Sequence, residues 1–188
     1  PTWIAHLVPI PWKRLDQWYS RGCDLAVSEI RNVPPACWSP SIKSRSRLQY
    51  YLADLKGASD RPGSIAVLLN QQDHVTETSV ANLILINRKG QLVSPRKSDI
   101  LRGVSLDVAS QLATSLGLEW SHQDITVVDL EQASEIVLVG TTACIWHASS
   151  INNRMIGNGS RGPVCQLLLE RWIDLVQVDF VGEAKEQT

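Results

Sequence analysis

Apolar residues recur along this chain in two ways. Some fall at three- and four-residue spacing, which predicts amphipathic helices, and others form short unbroken aliphatic runs, which predict strands buried on both faces. Residues 4–10 carry Ile4, Leu7, Val8 and Ile10 and meet Pro9 and Pro11, a strand running into a proline-stiffened connection. Residues 12–21 are amphipathic and stop at Gly22, and residues 23–30 predict a further strand. A turn-rich passage, residues 33–40, leads to Lys43. Beyond it, residues 48–56 show helical spacing and end on Lys56-Gly57, a pair suited to a helix C-terminus.

Residues 64–70 predict a short strand between turns at Arg61-Pro62-Gly63 and Gln71-Gln72-Asp73. The run 74–86 begins polar and closes on Leu83-Ile84-Leu85-Ile86, and Asn87-Arg88-Lys89-Gly90 turns it into a strand over 91–95. A helix is expected over 106–116, with Val108, Ala109, Leu112, Ala113 and Leu116 on one face and Gly117 as its stop. After it come a strand over 125–128, a helical turn over 130–133 and a buried strand over 134–140. Gly162-Pro163 introduces a helix over 164–175, and the polar tail 181–188 is expected to fray. Strands and helices interleave without repeats, so the expected architecture is α/β or α+β, a mixed sheet with flanking helices.

Composition narrows the function classes. A chain of 188 residues, 44% apolar and 20% charged, can bury a sizeable core in one domain and is not disordered. Its net charge of -1 leaves no electrostatic footprint for nucleic acid or an anionic membrane. No apolar run reaches the length of a membrane span and the first residues lack a signal-peptide layout, so a cytoplasmic protein is expected. Cys23, Cys37, Cys144 and Cys165 are dispersed, as are His6, His74, His122 and His147, which argues against a metal site or a disulfide framework. The chain begins at Pro1 without a methionine, which suggests that a piece is missing upstream.

Three features offer chemistry. Lys43 sits where a stiff loop meets a helix, and a lysine left neutral by its surroundings can form a Schiff base with a carbonyl compound or pyridoxal phosphate. Arg45 and Arg47 favour the neutral amine by repulsion if they lie close. Glu77 stands in a stretch too polar to be ordinary core, where a carboxylate can face a cationic heteroaromatic nitrogen. Gly103-Val104-Ser105 at a helix start and Gly140-Thr141-Thr142 directly after a buried strand are candidate anion cradles. Each has an ordinary alternative: a solvated lysine, a surface glutamate, a helix cap. The combination is more specific than any part.

Taken together, the motifs resemble the class IV aminotransferases, pyridoxal-phosphate enzymes of fold type IV. That family includes branched-chain aminotransferases, D-amino acid aminotransferases and aminodeoxychorismate lyases. Ile42-Lys43-Ser44 with Leu48 resembles the Schiff-base lysine segment, preceded by Glu29-Ile30-Arg31 and Pro34-Pro35. Val75-Thr76-Glu77-Thr78-Ser79-Val80-Ala81-Asn82-Leu83 resembles the segment whose Glu contacts the pyridine nitrogen, and Leu101-Arg102-Gly103-Val104-Ser105-Leu106-Asp107 the phosphate loop. Ala133-Ser134-Glu135, Gly140-Thr141-Thr142-Ala143, Ile156-Gly157-Asn158-Gly159 and Gly162-Pro163-Val164 follow in order, so the likeness runs over residues 22–175. Ile84, Ser94 and Leu106 depart from the usual residues. So do Cys144, Trp146 and His147, in a loop that lies near the substrate in relatives, where His147 is a candidate for substrate contact.

The resemblance implies an aminotransferase that moves an amino group between an amino acid, branched-chain-like, and a 2-oxo acid, using pyridoxal 5'-phosphate. Lys43 would hold the cofactor and shuttle the proton, and Glu77 would face the ring nitrogen. Val104, Ser105 and Thr141 would anchor the phosphate, with Thr142 and Ala143 offering N–H groups to the substrate carboxylate. It also implies a homodimer. On this reading residues 1–21 are the tail of an absent N-terminal domain or an interdomain connection, 22–180 the large cofactor domain and 181–188 a frayed tail. Two rivals stand beside it: an aminodeoxychorismate lyase that eliminates pyruvate, and a non-catalytic remnant domain.

Overall fold

Nine strands make one mixed sheet whose spatial order departs from the chain order, in a computed structural model that describes residues 2–188. The strands are β1 (Cys23–Arg31), β2 (Ile65–Leu69), β3 (Val75–Thr78), β4 (Asn82–Ile86), β5 (Leu92–Pro95), β6 (Trp120–Gln123), β7 (Glu135–Gly140), β8 (Cys144–Ile151) and β9 (Arg154–Met155). The order is β3-β2-β1-β8-β7-β4-β5-β6, with β9 added to β8. β1 runs parallel to β2 and β8, β5 runs parallel to β6, and the remaining pairs are antiparallel. Only Ser79, Val80 and Ala81 join β3 to β4, although β2, β1, β8 and β7 lie between them in the sheet. A connection that short forces the sheet to curl until its two halves meet at this turn. The turn is closed by the Thr78 N–H donating to the Ala81 carbonyl at 3.0 Å.

Six helices flank the sheet: α1 (Trp12–Arg21), α2 (Leu48–Asp60), α3 (Val104–Ser115), α4 (Val127–Glu131), α5 (Pro163–Val176) and α6 (Phe180–Glu186). One face of the sheet packs Leu83, Leu85, Ile136 and Leu138 with Leu25, Val67 and Val75, joined by Leu15 and Tyr19 of α1. The alternate residues Ile84, Ile86, Val137 and Val139 point the other way, against Leu106 and Ala109 of α3 and Leu168, Leu169 and Trp172 of α5. Ala66 and Leu68 of β2 pack against Ala53 of α2. Burial on both faces is why these strands read as unbroken aliphatic runs rather than alternating ones. No helix among the described residues is long and apolar enough to cross a membrane.

Several expectations are corrected. Residues 4–10 form no strand: no neighbouring strand pairs with them, and Trp3, Ile4, Leu7 and Val8 are exposed. α2 continues past Gly57 to Asp60, its last turn closed by the Arg61 N–H on the Gly57 carbonyl. Residues 127 and 128, expected to end a strand, instead open the helix that was expected from Leu130, because Thr126 and Asp129 form a reciprocal capping box. α3 begins at Val104, two residues earlier than the apolar spacing indicated. β6 and β8 were not anticipated; β8 turns the expected loop around Cys144, Trp146 and His147 into a strand between β1 and β7. The tail is helical through α6, where the Asp179 side chain accepts from the Gly182 N–H, Phe180 packs on Tyr19 at 5.8 Å and Ala184 is fully buried.

Candidate functional site

At the turn where the curled sheet closes, a carboxylate is buried. Glu77 lies on β3 and is 6% exposed. Its Oε1 accepts from the Tyr50 hydroxyl at 2.7 Å, its Oε2 accepts from the Asn82 amide at 3.0 Å, and the Leu101 N–H approaches both oxygens at 3.4 and 3.3 Å. Burial pushes the Glu77 carboxyl above the ordinary range, while Tyr50, Leu101, Arg47 and Lys43 pull it back. Among the described residues every donor within bonding distance is neutral, so no cation is bonded to the carboxylate. Asn82 uses both amide hydrogens, the second donating to the Leu101 carbonyl at 3.0 Å.

Glu77 lines a cavity of about 480 Å³, a volume ordinary for a small-molecule site. Lys43 lines it too, on the loop that leaves β1 and enters α2, and is exposed there. Its charge is the smallest of the pulls that offset burial at Glu77. The amine is thus in contact with water and the acid is buried.

The same cavity holds Gly103, Val104 and Ser105 at the start of α3, and Gly140, Thr141 and Thr142 where β7 ends. Gly103 is the N-cap of α3 and supplies no side-chain cap, so the first-turn N–H groups are open to a ligand. The start of α5 makes the contrast. There Glu135 of β7 reaches over and accepts from the Val164 and Cys165 N–H groups, both at 2.9 Å, so that helix end is already filled by a carboxylate. Gly103 and Gly140 both sit where the backbone must pass close to a neighbour: a Cβ on Gly103 would overlap the Asn82 amide oxygen, and one on Gly140 would lie 3.1 Å from the Val80 carbonyl.

Lys43, Glu77, Val104, Ser105, Thr141 and Thr142 therefore converge on one cavity. Ala143 does not: it is buried behind the wall, where its carbonyl accepts from the Tyr19 hydroxyl at 2.9 Å. His147 is 3% exposed on β8, away from the cavity, with Gly22 packed so tightly over it that a Cβ there would be 2.7 Å from its Nε2. Tyr50 and Asn82 were not singled out for the site by their residue types, and Arg47, expected only to act on Lys43, donates to the Ser79 carbonyl. Tyr50 reads as one aromatic on a helix, and only the fold brings its hydroxyl to Glu77.

A buried acid, an exposed lysine and two candidate anion cradles thus line one cavity. The family model described as amino-transferase class IV matches residues 1–151, four-fifths of the chain. The chain belongs to the class IV aminotransferase family. It is 30% identical over 123 residues to the branched-chain-amino-acid aminotransferase of Pseudomonas aeruginosa, covering 65% of this chain and 40% of that protein. It is 27% identical over 142 residues to the D-alanine aminotransferase of Listeria monocytogenes, covering 76% and 48%. The branched-chain amino acid aminotransferase of Thermobaculum terrenum, solved in its PLP-bound holo-form, superposes with a TM-score of 0.78 at 26% identity, over 89% of this chain and 54% of that one. The class IV chain spans about half the length of the relatives it matches.

Proposed function

We propose that this chain is the cofactor domain of a pyridoxal 5'-phosphate-dependent aminotransferase that exchanges an amino group between an amino acid, branched-chain in preference, and a 2-oxo acid. The carrying observation is the buried Glu77 carboxylate, without a cation of its own, in the same cavity as Lys43 and the open end of α3. A protonated ring nitrogen would supply the missing cation, and a phosphate would fill the helix end that Glu135 fills in α5.

Bound pyridoxal phosphate supplies an aldehyde for amines to condense with and a ring that withdraws electrons from the substrate Cα. The chain's own residues do the rest. Lys43 Nζ is the amine that would hold the aldehyde and, when free, would act as the base that moves the substrate Cα proton. Glu77 would hold negative charge beside the ring nitrogen and so favour its protonated form. The N–H groups of Val104 and Ser105, the Ser105 hydroxyl and Thr141 take the phosphate. Thr142, on the cavity wall, is assigned to the substrate carboxylate, and Ala143, buried behind that wall, is not. A homodimer and a cytoplasmic location complete the reading.

Adding pyridoxal phosphate to the protein tests it. The expected result is a near-visible absorption band that borohydride reduces irreversibly, present in the native chain and absent in Lys43→Ala. Retention of the reducible band in Lys43→Ala would remove the lysine from its role. Valine, isoleucine and leucine are then expected to give up their amino group to 2-oxoglutarate more readily than D-alanine. Pyruvate released from aminodeoxychorismate with no acceptor present would replace transamination by elimination. No band at all would leave a non-catalytic domain.

A further inference from the structure

The first turn of α2 and its N-cap residue Arg47 hold β3 and the turn after it at two points. The Tyr50 hydroxyl meets Glu77 Oε1 at 2.7 Å, and the Arg47 guanidinium donates to the Ser79 carbonyl while lying 4.7 Å over the Tyr50 ring. Both residues follow Lys43 on the same stretch of chain, so the lysine loop is tied to the element that carries the acid. We propose that Tyr50 is a positioning residue of the site: its phenol holds the Glu77 carboxylate ionised and oriented in the cavity, and Arg47 holds the phenol in place.

The chemistry supports this on three counts. The Tyr50 O–H donates to the carboxylate at 2.7 Å, and a donor on the charged form favours the ionised acceptor. Burial and the Glu77 charge both push the Tyr50 phenol's own ionisation upward, so the shared proton stays on the phenol and the carboxylate only accepts. The other donors to Glu77, the Asn82 amide and the Leu101 N–H, come from β4 and from the loop before α3. Tyr50 is the donor that arrives from the lysine side. A phenol held by a stacked guanidinium therefore couples the amine's segment to the acid's charge. The inference rests on the proposed function only for what the anion faces.

The test follows the Glu77 carboxyl by carbon-13 NMR in protein labelled at its glutamate carboxyls. The Glu77 signal is the one lost in Glu77→Gln. In Tyr50→Phe, which keeps the ring under Arg47, the expected titration midpoint rises by about one pH unit, a tenfold gain in proton affinity. An unmoved midpoint in Tyr50→Phe with native circular dichroism overturns the proposal. Should that variant not fold, the chain made with 3,5-difluorotyrosine, a stronger donor that keeps the hydroxyl, is expected to show a lower Glu77 midpoint; an unchanged one overturns the proposal equally. Pyridoxal phosphate titrations separate the two readings. Affinity is expected to fall roughly tenfold in Tyr50→Phe and to show no additional loss when Tyr50→Phe is added to Glu77→Gln, since coupled groups do not add. A midpoint shift in a native chain that takes up no pyridoxal phosphate would uphold Tyr50 and overturn the cofactor assignment alone.

Discussion

Gly103 is the residue on which two parts of the site meet. Its backbone is ordinary, with φ at −74°, so the requirement is for space rather than conformational freedom. The Asn82 amide that a Cβ would strike is fastened on both hydrogens, to Glu77 and to the Leu101 carbonyl. It cannot swing away without breaking one of them. Gly103→Ala is therefore expected to displace Asn82 and loosen Glu77, lowering stability by about 1–3 kcal/mol, the range of overpacking. Pyridoxal phosphate affinity should fall with it. Thermal unfolding and a cofactor titration check this, and an unchanged melting temperature would show that the amide has room.

Among the elements, α3 and α5 present the same kind of N-terminus and use it differently. Both open on a glycine N-cap with no side-chain cap of its own. The end of α5 is closed by Glu135, which is 7% exposed and spends both oxygens on that helix. Glu135→Ala leaves the Val164 and Cys165 N–H groups without their partners. It is expected to cost about 1–3 kcal/mol in denaturant unfolding. Cofactor affinity should change little, because α5 is no part of the cavity. The opposite outcome, a stable variant that no longer takes cofactor, would mean that the α5 end and not the α3 end receives the anion.

For the whole molecule, the packing of α1, β8 and α5 around His147 sets how the fold responds to acid. The ring is 3% exposed, neither nitrogen has a hydrogen-bond partner among the described residues, and Arg161 lies close enough to oppose its charging. Burial and that arginine push the imidazole down to about 4. A histidine neutral in the fold but free to protonate in the unfolded chain stabilises the fold fully above pH 6.5. That stability is lost as pH falls from 6.5 to about 4, by up to about 3 kcal/mol. His147→Gln is expected to flatten the fall in melting temperature across that window, and an identical fall would place the acid sensitivity elsewhere.

The sequence by itself determined the elements whose apolar pattern is continuous or strongly periodic: β2, β4, β7, the helical run of α5 and the stop of α1 at Gly22. Their burial is set by residue type alone. It also held the chemistry in order, Lys43, Glu77, Gly103-Val104-Ser105 and Gly140-Thr141-Thr142, because each segment carries its own local signature. Only the tertiary structure decided the rest. The tail became α6 because α1 gives Phe180 a ring to pack on, and β6 and β8 became strands because β5, β1 and β7 offer partners. Residues 4–10 stayed irregular for want of one. Tyr50 and Asn82 gained their places at Glu77 in the same way. A strand needs a neighbour and a buried charge needs donors, and both come from parts of the chain that spacing along a sequence does not bring together.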